Sequence, residues 1–234
     1  MNYITLTNNG YRELTHNLLK SMKNLGIEKQ LKIYCVDDEC YNFFKNLYSD
    51  NTVINLNISD SRLYNWIPYR ASQNPDIEGK KLWSTITFLK IVVMIKELEK
   101  NDHFLFVDSD VVFLKDPLKE INKYVDNNTD LIIQNDECDD NDDTKWCTGF
   151  FWMKSTPKNI KILKSANPYN FRNDQQFIRS NRPNLKFKVL KLDNYPNGKY
   201  YVSNKPKNPF IIHFNHYTGE MKKIKMKICN KWFL

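Results

Sequence analysis

Phe104-Leu105-Phe106-Val107-Asp108-Ser109-Asp110-Val111-Val112-Phe113-Leu114 is an apolar run broken by two carboxylates one residue apart. Four apolar residues leading into Asp-x-Asp read as a buried parallel strand. Its carboxyl end delivers the acids to the edge of a sheet, where open α/β folds bind ligands. Two carboxylates hold Mg²⁺ or Mn²⁺ and leave coordination sites that substrate phosphates usually fill. The stretch therefore predicts a metal-bridged phosphate site.

Outward from it, strands and helices alternate. Tyr3 to Thr7 is β-rich, Asn8-Asn9-Gly10 breaks it, and Leu14, Leu18, Leu19, Met22 and Leu25 recur at helical spacing up to Gly26. Strands are expected at 31–36 and 52–58, with a helix at 40–48 between them. Residues 62–81 contain Pro68, Pro75 and Gly79 without a clear period and read as a long loop. A helix at 83–98 carrying Lys90 runs into the Asp-x-Asp strand. Beyond Asp116-Pro117 come a short helix, a strand at 131–134, an acidic loop at 136–143, and a strand at 147–153 with Gly149 near its start. Such a glycine often lets a ligand approach the backbone. Helices at 157–166 and from 173, a strand at 187–192, a strand delivering His213 to a polar turn, and a basic segment at 222–227 complete the chain. The alternation implies one doubly wound α/β domain with a mostly parallel twisted sheet and helices on both faces.

On its own, Asp-x-Asp also fits a solvated Asp pair at a strand end or the nucleophile motif of an Asp-dependent phosphatase. The acidic loop supplies no phosphatase partner, because its acids are sequential and do not follow an apolar strand end in the required way. Thirty-five Lys and Arg against 27 Asp and Glu give a net charge of +8, which suits an anionic partner. Nucleic acid fits poorly, since the positive charge gathers in the tail and no recognised module appears. Five cysteines, odd in number and without C-x-x-C spacing, argue against a disulfide framework or a zinc site. No charged leader precedes Tyr3 and no run approaches the roughly 20 apolar residues of a spanning helix. The expected location is the cytoplasm, with peripheral membrane contact through the basic tail.

These pieces together resemble the nucleotide-diphospho-sugar transferases of GT-A fold, in particular the retaining family with plant cell-wall xylosyl- and galactosyltransferases. The resemblance covers most of the chain. It is carried by residues 4–11, Asn17 and Ser21, residues 33–37, Thr87-Phe88-Leu89-Lys90, and Asp108-Ser109-Asp110 eighteen positions after Lys90. Leu114-Lys115-Asp116-Pro117, Cys147-Thr148-Gly149-Phe150, Asp174-Gln175 and His213-x-Asn215-x-x-x-Gly219-x-x-x-Lys223 complete it. It implies one domain over 1–234, with a nucleotide-binding half (1–117) and a donor-sugar and acceptor half (118–234).

The implied activity is metal-dependent transfer of a sugar from a UDP-sugar to a glycan, glycoprotein or small-molecule hydroxyl, with retention. A catalytically silent sugar-nucleotide- or glycan-binding module is the first alternative and an Asp-nucleophile phosphatase the second. Asp108, Asp110 and His213 would hold Mn²⁺ or Mg²⁺, with His216 as the fallback imidazole. Thr5, Asn8, Tyr11, Asp37 and Ser109 would hold the nucleoside side, with Tyr11 stacking on the base. Lys223, with Lys222 one residue away as the alternative, would meet the diphosphate near Gly219, and Lys90 would reach the diphosphate or the sugar. Asp136 and Gly149 would line the donor sugar. Asp174 and Gln175 would lie beneath it, Asp174 being the available nucleophile if the reaction is a double displacement.

Overall fold

The computed structural model describes residues 3–48, 52–56, 78–168 and 170–234. Its first half runs β1 (Tyr3–Thr7), α1 (Arg12–Lys23), β2 (Leu31–Cys35), α2 (Asp38–Leu47), β3 (Val53–Asn55), α3 (Glu78–Leu98), β4 (His103–Val107), β5 (Val111–Phe113) and α4 (Leu118–Tyr124). The second half runs β6 (Leu131–Asn135), β7 (Trp146–Lys154), α5 (Pro157–Lys164), α6 (Asp174–Ser180), β8 (Phe187–Leu190), α7 (Gly198–Asn204), β9 (Ile211–His213) and α8 (Glu220–Ile228).

Among the described residues, seven strands form one sheet in the order β3-β2-β1-β4-β7-β6-β8. Four of its six pairings are parallel, and β7 runs antiparallel to both neighbours. The reason is the length of the connection: residues 136–145 between β6 and β7 are too few for a parallel crossover, which needs about a dozen or more. Covering both faces explains the unbroken apolar reading of β4. Phe104 and Phe106 join the cluster containing Phe88, Leu89 and Met94 of α3, whereas Leu105 and Val107 join Leu18, Leu19 and Met22 of α1. All four strand residues are fully buried, each contributing roughly 1.5–3 kcal/mol.

The quoted apolar run is not one strand. It leaves the main sheet at Val107, turns through Asp108-Ser109-Asp110, and re-forms as β5, which pairs antiparallel with β9 in a separate two-stranded sheet. Helix α3 begins at Glu78, so the last residues of the loop expected at 62–81 are helical; 62–77 lie outside the described residues, as do 57 and 58 of the strand expected at 52–58. Helix α7 lacked an apolar period and was not expected from sequence. The basic tail forms α8, which buries Lys222 and Met226 and exposes Met221, Ile224 and Ile228. Among the described residues, no helix is long and apolar enough to cross a membrane.

Candidate active site

The two-stranded sheet builds the centre of the site. Val111 pairs with His213, and the Phe214 amide donates to the Asp110 carbonyl at 3.1 Å, so the register carries an imidazole from the far end of the chain to the acids. Ligand atoms of Asp108, Asp110 and His213 all lie within 4.8 Å of one another. His213 Nε2 is 3.1 Å from Asp110 Oδ1 and 3.8 Å from Asp108 Oδ2. Two carboxylates and one imidazole nitrogen this close together form a mixed O,O,N set, which fits Mn²⁺ and admits Mg²⁺.

Gly149 makes that convergence possible. The Asp108 amide donates to the Gly149 carbonyl at 2.7 Å, which locks the turn against β7. A Cβ on Gly149 would overlap His213 Cε1 and stand 2.6 Å from Asp108 Oδ2 and 2.7 Å from His213 Nε2. Its φ is not positive, so the glycine is required for space and not for backbone conformation.

Two buried ammonium groups balance the acids. Lys222 Nζ lies 2.5 Å from Asp110 Oδ2, and Lys90 Nζ lies 2.7 Å from Asp108 Oδ1 and 3.6 Å from Asp174 Oδ2. Burial alone would raise the Asp110 carboxyl, yet Lys222 and His213 override it and hold the group well below the usual carboxylate range. For His213 burial opposes protonation, and the Asp110 carboxylate reverses this to push the imidazole up to about 10. Lys90 is also kept charged, since Asp108 and Asp174 outweigh its burial. Asp174 behaves in the opposite way. Burial raises its carboxyl against the pull of Lys90 and Thr148, and its Oδ2 makes no hydrogen bond among the described residues.

Two adjoining cavities meet at these charges, sharing Thr87, Lys90, Asp108, Asp110 and Lys222. Asn8, Tyr11 and Ser109 line the first. Ser109 also ties the turn down, its hydroxyl 2.8 Å from that of Thr15. The second is lined by Asp136, Asp174, Gln175, His213 and Asn215 among others. Asp136 is held there by Asn215, Arg179 and Gln175 at 2.8, 2.7 and 3.0 Å.

Several expected residues sit elsewhere. Lys223, the first choice for the diphosphate, turns to Glu13 and Glu220 at 2.5 and 2.9 Å, because one residue on a helix rotates the side chain by about 100°. Lys222 takes the inward position instead. Asp37 caps α2 by accepting from the Cys40 amide and also accepts from the Asn9 amide, both at 2.8 Å, so its oxygens serve the backbone. Thr5 is fully buried and lines neither cavity. Gly219 has φ +52° and starts α8, so it sets the entry of the helix that carries Lys222. His216 lies 3.9 Å from Asp136 Oδ1 and away from the metal-ligand cluster.

Sequence reasoning passed over Gln134, whose Oε1 is 2.7 Å from His213 Nδ1, and Cys147, whose Sγ is 3.6 Å from the same nitrogen. The available signal for Gln134 was a polar residue ending the apolar strand Leu131-Ile132-Ile133.

The model of a protein family described as nucleotide-diphospho-sugar transferase matches residues 29–226. The chain is 29% identical to UDP-galactose:fucoside alpha-3-galactosyltransferase from Dictyostelium discoideum over 94% of its own length and 41% of that protein. It thus spans about two fifths of this relative. Mouse xyloside xylosyltransferase 1 superposes with a TM-score of 0.61 at 14% identity, covering 92% of this chain and 97% of that one. The galactosyltransferase LgtC, in complex with donor and acceptor sugar analogues, gives 0.58 at 10% identity over 100% and 97%. The architecture is therefore the GT-A glycosyltransferase fold.

Proposed function

The chain belongs to the nucleotide-diphospho-sugar transferase family, and from that membership we propose that it transfers a sugar, with retention, from a UDP-sugar to a hydroxyl of a glycan, glycoprotein or small molecule. The observation that carries this reading is the junction of two cavities at Asp108, Asp110, Lys90 and Lys222, with His213 completing the ligand cluster. We assign the nucleotide to the first cavity, whose lining comes from residues 1–117 apart from Lys222, and the donor sugar to the second.

A divalent cation held by Asp108, Asp110 and His213 would supply Lewis-acid charge to the departing diphosphate. Lys222, from a helix at the far end of the chain, adds a point charge on the nucleotide side. Lys90 stands between Asp108 and Asp174, so it spans the diphosphate and sugar positions. Asp174 presents an oxygen without a hydrogen bond, suited to positive charge developing on the sugar or to attack on its anomeric carbon. Asp136, already held by three side-chain donors, offers a fixed carboxylate to sugar hydroxyls.

The test is calorimetric titration of UDP with Mn²⁺ and with EDTA. Binding that requires the ion supports the site, and absence of UDP binding in both conditions overturns it. Turnover is then sought first with UDP-galactose and a fucoside, the pair named for the Dictyostelium relative. UDP binding without hydrolysis or transfer of any UDP-sugar would favour the silent binding module.

The two lysines separate cleanly. Lys222→Ala is expected to weaken UDP binding in Mn²⁺ by about 10-fold or more, the loss of one charge-assisted contact of roughly 1.5–3 kcal/mol. Lys223→Ala should leave UDP affinity unchanged, since that ammonium is exposed and paired with Glu13 and Glu220. Equal losses in both variants would remove the assignment of Lys222.

A further inference from the structure

We propose that Gln134 is a positioning residue for His213: it fixes the imidazole tautomer so that Nε2 presents a lone pair to the metal position. The proposal rests on the reading of Asp108, Asp110 and His213 as metal ligands.

Gln134 is fully buried, and its amide orientation is settled by its neighbours. Its Nε2 lies 3.0 Å from the Tyr195 carbonyl and 3.2 Å from the Pro196 carbonyl. Carbonyl oxygens only accept, so both must face the NH₂ end and Oε1 must face His213. Oε1, 2.7 Å from Nδ1, is likewise only an acceptor, so Nδ1 carries the proton. With Nδ1 keeping its proton, Nε2, which faces the two carboxylates, is the nitrogen left to give up its proton to a bound cation.

Local backbone geometry serves the same end. The pairing of β6 with β7 jumps between Ile133, opposite Phe151, and Gln134, opposite Cys147. Thr148, Gly149 and Phe150 are thereby left without partners on β6. Such irregularities bend a strand and re-aim side chains beside functional sites. Here Gln134 reaches the ring edge from one side of the irregularity while Gly149 lies against Cε1 within it. The Pro196 carbonyl also accepts from the His213 amide at 3.1 Å, so one carbonyl orients both the histidine backbone and the glutamine that holds its ring.

Two measurements test this. In the Mg²⁺-loaded protein, where the ring is a neutral ligand, ¹⁵N–¹H correlation spectra are expected to show His213 with a hydrogen-bonded proton on Nδ1 and none on Nε2 in wild type. That signature should change in Gln134→Leu. Mn²⁺ affinity, read from free Mn²⁺ by electron paramagnetic resonance, should fall about 10- to 100-fold in Gln134→Leu. Gln134→Glu, whose protonated carboxyl keeps an acceptor at Nδ1 and one donor toward the Tyr195 and Pro196 carbonyls, should recover part of that loss. In a His213→Ala background, Gln134→Leu should cause no further loss, because the glutamine acts through the ring. A Gln134→Leu protein that binds Mn²⁺ like wild type, or loses equally with and without His213, overturns the proposal. Wild type that binds no Mn²⁺ overturns the metal reading itself. An Nδ1 lacking its proton at neutral ring charge would overturn the tautomer assignment even where Mn²⁺ binds.

Discussion

Gly149→Ala is expected to abolish Mn²⁺-dependent UDP binding and transfer while the protein stays folded. The added methyl would overlap His213 Cε1 and stand within 2.7 Å of both Asp108 Oδ2 and His213 Nε2, too close for any of these atoms to remain in place. The strand cannot retreat easily, because the Gly149 carbonyl holds the Asp108 amide and its neighbour Phe150 is fully buried. The two side chains must move instead, and misplacement by about 1 Å at a reacting centre costs about 10²-fold. The expected measurement is a loss of at least about 10²-fold in transfer rate together with weaker Mn²⁺ binding, with far-ultraviolet circular dichroism unchanged. Gly10→Ala, whose added Cβ would stand 3.6 Å from the nearest atom, is the matched control for Mn²⁺ affinity but not for UDP, because Gly10 lines the first cavity. A Gly149→Ala protein with wild-type Mn²⁺ affinity would show that His213 and Asp108 do not approach β7 as described.

Asp174→Asn is expected to lower kcat by about 10²–10³-fold, the usual cost of removing one charge-stabilising group, while leaving the Kd for UDP unchanged. UDP lacks the transferred sugar, and Asp174 faces the second cavity only. The same variant should be more stable than wild type. Burial raises the folded carboxyl above its unfolded value, so between those values the folded chain binds more protons than the unfolded one. Stability then falls as pH rises through that window, and the deficit persists above it. An amide cannot ionise and escapes the penalty. In EDTA at pH 7 the variant should melt a few degrees higher, about 2–4 °C for each kcal/mol recovered in a chain of this size. The difference should vanish below pH ~4, where the unfolded carboxyl is also protonated. A variant that keeps wild-type kcat would remove Asp174 from the chemistry, and a lower melting temperature would show that Lys90 needs its second carboxylate more than the fold resents it.

Much of this molecule was legible before any coordinates. The apolar run ahead of Asp108 announced a strand buried on both faces, because only a covered strand tolerates Phe104, Leu105, Phe106 and Val107 in succession. The breaks at Asn8-Asn9-Gly10 and Gly26, and the helical spacing between them, located α1 for the same local reason. Acid spacing alone marked Asp108 and Asp110 as a candidate pair. What no local pattern could supply was contact between distant segments. That Val111 pairs with His213, that Lys222 and not Lys223 turns inward, and that Gly149 yields its side-chain space to an imidazole all depend on register and helix phase set across more than 60 residues. Asp37 shows the reverse limit: its sequence context suited a ligand contact, yet two nearby backbone amides claimed its oxygens. Periodicity and composition determine which elements form, since they report burial along one element. Only the packed structure decides which charges meet, because a buried charge is stabilised by whatever partner the fold brings within a few ångströms.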